Sequence, residues 1–364
     1  MEEKVISSEI TDRVVTEEQL LELYNISLED WDVEKKVINT WEVGTKGPDG
    51  NMVTTPLFQV KVWLRNKQPS KDLDQIRKEF IEDLKKLSPT VSKKDYGLGK
   101  STSKHLLEIN IFDLHIGKIA WDEETGQTYN LETACELYTD CIEDFIANTK
   151  HMSIDRILLP VGNDFFNSDK AHPYNSTTKG TPQDEDARWQ KTFRTGRELL
   201  VKSITRLAEV APVDVVMIPG NHDFERNFYL GDSLEGWFIN NENVSIDNTA
   251  TPRKYYRYHE LMLGFTHGDG EKVTDLPLIM AQENPVWWGA TTYREFHLGH
   301  IHHKREIKYK SAQEYQGVIV RYMSSLSATD AWHHKKGYVG SKRSAEAFVW
   351  DAEKGLKAQF TFVA

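Results

Sequence analysis

Four short runs place metal-binding side chains at the ends of apolar stretches: Asp113-Leu114-His115, Gly220-Asn221-His222-Asp223, Thr266-His267-Gly268 and Gly299-His300-Ile301-His302. A fifth, Gly162-Asn163-Asp164, lies between the first two. Together they offer two carboxylates, one amide and four imidazoles, with His222 to spare. Imidazole nitrogen and carboxylate oxygen suit first-row divalent metals, and seven ligands are about what two ions sharing a site need. The pattern points to hydrolysis at a dinuclear metal centre.

Each run follows a candidate strand. ILLPVGND and VVMIPGNHD share one design, an apolar strand, a glycine turn and a polar ligand. In α/β sheets, ligands collect at the carboxyl ends of strands. From His105 onward, strand-like runs at Leu106–Phe112, Ile157–Val161, Val213–Ile218, 261–266, 295–299 and 318–322 alternate with helical spacing near 131–149 and 186–209. That alternation predicts an α/β domain over 105–364.

Residues 1–100 read as a separate small α+β unit, compatible with a winged-helix-like adaptor and nucleic-acid binding. Thr16-Glu-Glu-Gln19 has the form of a capping box, and Ser27–Asp30 resembles a second helix start. Val37–Val43 and Leu57–Leu64 read as strands joined by the turn-rich GTKGPDGNMVTT, and Ser70 caps a longer helix. SPTVSKKDYGLGKSTSK reads as a linker.

Composition narrows the class. The 364 residues are 39% hydrophobic and 28% charged, as in a soluble globular protein. No apolar run approaches the roughly 20 residues that span a bilayer, so no membrane partner is expected. The start lacks a secretory h-region, and Cys135 and Cys141, six apart on one predicted helix, fall on different faces. Cytoplasmic residence is the expectation. The net charge of −11 argues against indiscriminate nucleic-acid binding. Residues 61–104, with 12 basic and 6 acidic side chains, and 302–343, with 9 and 3, are local basic stretches. They are either phosphate-binding surfaces or solvated faces.

In order, DLH, GND, GNHD, THG and GHIH resemble the signature of the calcineurin-like metallophosphoesterase superfamily, over about residues 106–350. The resemblance implies a four-layer αββα sandwich with two mixed sheets and a dimetal site at their edge. It implies that Asp113, His115 and His302 hold one ion, that Asn221, His267 and His300 hold the other, and that a carboxylate of the second run bridges them. The family has Gly-Asp directly where this chain has Gly162-Asn163-Asp164. Asp164 is assigned the bridge, since an amide bridges two cations poorly, and Asp169 is a distant alternative. Two ions would lower the pKa of a shared water and give hydroxide near neutral pH. His222 is the natural general acid, with Asp223 orienting or pairing with it. Mn²⁺ is the leading metal, with Fe²⁺, Zn²⁺ or Mg²⁺ as alternatives.

GNHD and FFNSD differ from the GNHE and arginine-rich motif of protein phosphatases. The ending VRYMSSLSATDAWHHKKGYVGSKRSAEAFVWD resembles the segment after the last motif in SbcD-like DNA-repair exonucleases. A DNA nuclease or exonuclease is therefore the leading expectation, with DNA as partner. The alternatives are a small-molecule phosphodiesterase or phosphatase, and a non-catalytic structural protein that retains the metal site. The chain lacks the long extension that grips an ATPase, so no ATPase partner is implied, and a homo-oligomer is compatible with the sequence. A small unit before such a domain resembles phosphoesterases of bacteriophage genomes, which would place the protein in host cytoplasm. His333 and His334, in basic company, are candidates for phosphate contact. Trp287 and Trp288 either stack on a base or pack in the core. His297 and His303 flank the last run as supports or exposed side chains. The insert KAHPYNSTTKGTPQDEDARW has the length and polarity of a loop that shapes substrate choice.

Overall fold

A computed structural model describes residues 3–46, 48–66, 73–96, 104–300, 312–337, 340 and 342–364. The chain divides into two compact units, Met1–Glu82 and Asp83–Ala364.

In the first unit, β1 (Glu3–Ser7), α1 (Glu17–Leu23), β2 (Trp31–Lys46) and β3 (Met52–Asn66) come in that order, and α2 (Leu73–Leu87) crosses the division. The strands form an antiparallel sheet in the order β1-β3-β2. Thr16 caps α1 with a capping box, its hydroxyl accepting from Gln19 N–H. Val60, Val62 and Leu64 alternate onto one buried face against Leu20 and Leu21. The expected helix at Ser27 is a single turn leading into β2. Both strands run well past the predicted limits, paired antiparallel from Trp31 opposite Asn66 to Lys46 opposite Met52. Among the described residues the three strands carry α1 packed on one face. Ser70 lies outside the described residues.

The start of the second unit departs from a free linker. Val91 bridges Asn241, Lys94 N–H donates to Asn243 Oδ1 at 2.8 Å, and the Tyr96 hydroxyl donates to the Ala208 carbonyl at 2.6 Å. Polar composition left this segment looking unattached, yet its hydrogen bonds dock residues 88–96 onto the unit.

The body of the unit continues with β4 (His105–Asn110), α3 (Asp122–Thr125), α4 (Leu131–Thr149), β5 (Ile154–Gly162), α5 (Trp189–Leu207), β6 (Val213–Ile218), α6 (Phe224–Phe238), β7 (Val244–Asp247), β8 (Lys254–Tyr258) and β9 (Leu261–Thr266). It ends with α7 (Leu276–Glu283), α8 (Pro285–Gly289), β10 (Tyr293–Leu298), β11 (Ala312–Tyr315), β12 (Val318–Tyr322), α9 (Ala331–Lys335), β13 (Ser344–Asp351) and β14 (Gly355–Val363). Among the described residues these strands make two mixed sheets, β14-β13-β4-β5-β6-β7 and β11-β12-β10-β9-β8. Among the same residues, no helix is long and apolar enough to cross a membrane.

Three apolar layers explain why the strands are hydrophobic on both faces. Leu107, Ile109, Leu159 and Val215 pack against α4, α5 and α6. Leu106, Leu158 and Val216 pack against Leu263 and Phe265 of the second sheet. Met262, Phe296 and Val320 pack against α7 and α8. The order is therefore helix, sheet, sheet, helix.

A buried ion pair lies between the sheets. His297 on β10 meets Glu108 on β4 at 2.6 Å and Glu295 at 3.2 Å. The Trp350 indole and the Asn110 amide also donate to Glu108, each at 2.8 Å. Burial pulls the His297 pKa down, but the two carboxylates outweigh it and push it up to about 9. A raised imidazole pKa contributes stability that is complete below 6.5 and lost as pH rises through about 9. Urea unfolding should therefore show stability lower by on the order of 3 kcal/mol at about pH 10 than near pH 6.5. Glu108→Gln should shrink that difference, and a flat profile in the parent protein would contradict it.

Candidate metal centre

All five predicted loops leave the C-terminal ends of parallel strands. β4, β5 and β6, mutually parallel neighbours, deliver Asp113 and His115, then Asn163 and Asp164, then Asn221 and His222. In the second sheet the parallel neighbours β9 and β10 deliver His267 and His300. The loops are tied to one another. Asp113 N–H donates to the Asn163 carbonyl at 2.9 Å, His115 N–H to the Asp164 carbonyl at 3.0 Å, and Asn163 N–H to the Ile218 carbonyl at 2.7 Å.

The backbone at the site is unusual. Asp113, His115, Asn163, Asp164 and His300 all have φ between 48° and 67°, the left-handed region that non-glycine residues seldom occupy. Such strain gathers where surrounding structure holds side chains in a required direction. Two glycines make room. A Cβ on Gly220 would lie 2.0 Å from Asp164 Oδ1, and one on Gly162, whose φ is 116°, would lie 1.9 Å from the Ile218 carbonyl oxygen.

Asp164, wholly buried, sits at the centre. Its Oδ1 accepts from His222 N–H at 2.7 Å, and its Oδ2 lies 3.1 Å from His267 Nε2. His267 Nε2 is also 2.7 Å from Asn221 Oδ1 and 3.1 Å from His300 Nδ1. Two groups of possible ligands share this carboxylate: Asp113, Asp164 and His267, and His115, Asp164 and His222, with ligand atoms within 4.8 Å of one another in each. These buried groups could hold a metal ion. The grouping differs from that implied by the family resemblance, since Asp113 clusters with His267 and His222 stands among the possible ligands. His302 lies outside the described residues, as does His303.

Asn163 has a distinct place. Its Oδ1 accepts from His267 Nδ1–H at 3.2 Å, which leaves Nε2 as the ligand atom. The amide thus orients an imidazole while the neighbouring carboxylate faces the cluster. His222 is fixed likewise, its Nδ1–H donating to the Asn167 carbonyl at 2.8 Å, with its ring 4.7 Å from that of His115.

The electrostatics are those of anions crowded out of water. Burial and the charge of Asp164 push Asp113 up to about 7. Burial also acts on Asp164, but His267 and His222 override it and hold this carboxyl far below the usual range. His267 is pushed up to about 9, its burial outweighed by Asp164 and Asp113. His300 is lowered by burial and by the neighbouring His267. A divalent cation would relieve this crowding.

Several predicted residues stand elsewhere. Asp223 does not orient the His222 ring; its carboxylate accepts from Gly220 N–H at 3.0 Å and Phe166 N–H at 3.1 Å, joining two ligand loops. Burial and Asp164 push it up to about 8. Asp169 is no bridge: it caps α6 through Glu225 and Arg226 N–H, each at 2.9 Å. Trp287 and Trp288 pack against the core beside α7, with the Arg294 guanidinium 4.2 Å over Trp288. His297 is the buried inter-sheet cation described above.

A cavity of about 650 Å³ opens beside Asn221, His222 and His300. His333 lines it, its ring 2.8 Å from Asp330. His334, Trp287 and Trp288 are not among its lining residues, whereas Lys118, Asn167 and Trp332, which sequence reasoning did not single out, are. Only DAW directly before the histidine pair signalled Trp332. No protein-family model and no curated protein matches this chain.

Replacing Asn163 with Ala should free the His267 ring and weaken metal uptake about 10–100-fold, the usual cost of losing a ligand's supporting partner. Gly220→Ala should do at least as much by displacing Asp164. Titration with Mn²⁺, alongside circular dichroism to verify folding, measures both; undiminished affinity in Asn163→Ala would remove its supporting role.

Proposed function

We propose that this chain is a dinuclear metal-dependent phosphodiesterase of the calcineurin-like metallophosphoesterase superfamily, acting on DNA. The observation that carries this reading is the membership of one buried carboxylate, Asp164, in both candidate ligand groups. The helix–sheet–sheet–helix order, with ligands at strand ends of both sheets, supports the αββα sandwich of that family. The donors fit divalent first-row ions, Mn²⁺ foremost, being carboxylates, imidazoles and an amide oxygen.

When bound, two such ions supply charge neutralisation for phosphoryl transfer and acidify water. The chain's own residues do the rest. Asp164, kept anionic by His267 and His222, holds the two halves of the site together. Asn163 sets the tautomer of His267. His222, with Nδ1–H committed to the Asn167 carbonyl, leaves Nε2 for the second proton, which its imidazolium form would donate to the leaving oxygen, returning the ring to the neutral Nδ1–H tautomer. Asp223 keeps the loops of His222 and Asp164 in register. DNA is favoured over other esters by the C-terminal segment resembling SbcD-like exonucleases and by the local basic stretches. A nucleotide-sized substrate is the second reading, favoured by the cavity of about 650 Å³ beside the ligands.

Protein supplied with Mn²⁺ should cleave bis-p-nitrophenyl phosphate and labelled single-stranded DNA, and EDTA should stop both. Cleavage that survives complete removal of metal would overturn the reading. Cleavage of the chromogenic ester without DNA cleavage selects the small-molecule alternative.

Asp164→Asn should lower kcat by at least about 10³-fold and lose both ions. His222→Ala should lower kcat by about 10²–10⁴-fold with metal content unchanged. Elemental analysis of the His222 variant decides its role, since metal lost together with turnover makes it a ligand.

A further inference from the structure

The cavity beside the ligand cluster has two adjoining flanks. Asn167 and the inserted segment, through Thr177, Thr181 and Gln183, make one; Lys118, Ile119 and α9 make the other, and the Lys118–Glu185 bridge joins them. The insert is a braced wall. Thr178 N–H donates to the Asn221 carbonyl at 3.1 Å, its hydroxyl to Asp169 at 2.9 Å, and Asp186 N–H to the Gly117 carbonyl at 2.9 Å. The second flank is braced too. Buried Lys118 meets Asp330 at 3.0 Å, and Asp330 caps α9 by accepting from His333 N–H at 2.8 Å.

Two large apolar side chains on this flank remain in contact with solvent, Ile119 at 40% exposure and Trp332 at 58%. Both line the cavity. The Trp332 indole has the His333 ring edge-on at 5.0 Å and Lys336 Nζ 5.9 Å from its centroid, and on this braced helix turn it still gives solvent enough aromatic surface for a base to stack at low entropic cost. The charge of the lining points the same way. Lys118 is balanced by Asp330, while Glu124 and Asp184 add carboxylates, so the described lining has no surplus positive charge for a run of phosphates. The volume lies within the ~300–1,000 Å³ range of small-ligand sites.

We propose that Trp332 and Ile119 are the specificity element of this site, an apolar platform for one unpaired nucleobase of the ester whose phosphate lies at the ligand cluster. This rests on the phosphodiesterase reading above and narrows it to substrates that present an unpaired nucleoside at the ligand cluster. Gln183, Asn167 and Thr181 supply amide and hydroxyl groups within the same cavity for the base edge or sugar.

Two measurements test it. The first is calorimetric titration of thymidine 5′-monophosphate into Mn²⁺-loaded protein. The second is the ratio of kcat/KM for thymidine 5′-p-nitrophenyl phosphate to that for bis-p-nitrophenyl phosphate, which lacks a nucleoside. Trp332→Ala should weaken nucleotide binding roughly 5- to 100-fold and lower the ratio by a like factor, whereas Trp332→Phe should restore most of both. Unchanged binding and ratio in Trp332→Ala, or equal losses in Trp332→Phe, would overturn the platform. If the parent protein cleaves neither ester, the phosphodiesterase reading fails and the titration still decides whether Trp332 binds a base.

Discussion

A carboxylate with no access to water organises this protein. Asp164 is fully buried, and a charge so placed is costly unless partners surround it. It gathers them from both sheets: a backbone N–H from the loop after β6 and an imidazole from the loop after β9. Both contacts need strands that end at one level and loops that turn sharply. Parallel pairing supplies the first, and glycines with left-handed neighbours supply the second. The unusual backbone is thus a consequence of where one anion has to sit.

Much of the scaffold was legible because it obeys simple spacing. α4, β6, β9 and β12 lie where apolar periodicity puts them, since each is packed on a face that must exclude water. The ligand runs were legible for a related reason, polar residues following apolar strands at glycine turns. The division of labour between Asn163 and Asp164 was harder. Both residues have positive φ, so their side-chain directions come from the loop's path and not from position along a strand. Asp223 shows the same limit. Next to His222 in sequence, it points to backbone N–H groups on either side of the loop.

Tertiary context decided the remaining differences. Adjacent tryptophans have the same composition whether they face a ligand or a core, and Trp287 and Trp288 face a core. The polar stretch around Val91 resembled a tether until backbone hydrogen bonds to Asn240 and Glu242 fastened it. His297 sits three residues before His300 yet is fully buried, with carboxylate partners from β4 and its own strand. Its sequence neighbourhood gives no hint of Glu108, which is distant along the chain and supplies its main counter-charge.

Asn167 belongs to two structures at once. Its carbonyl aims the His222 imidazole, and the same residue lines the cavity at the start of the inserted segment. If His222 is the general acid and the cavity sets substrate choice, as proposed, selectivity and proton delivery share a hinge point: a change that reshapes the wall to admit a bulkier molecule also re-aims the ring, and a broader appetite pulls against a well-timed proton.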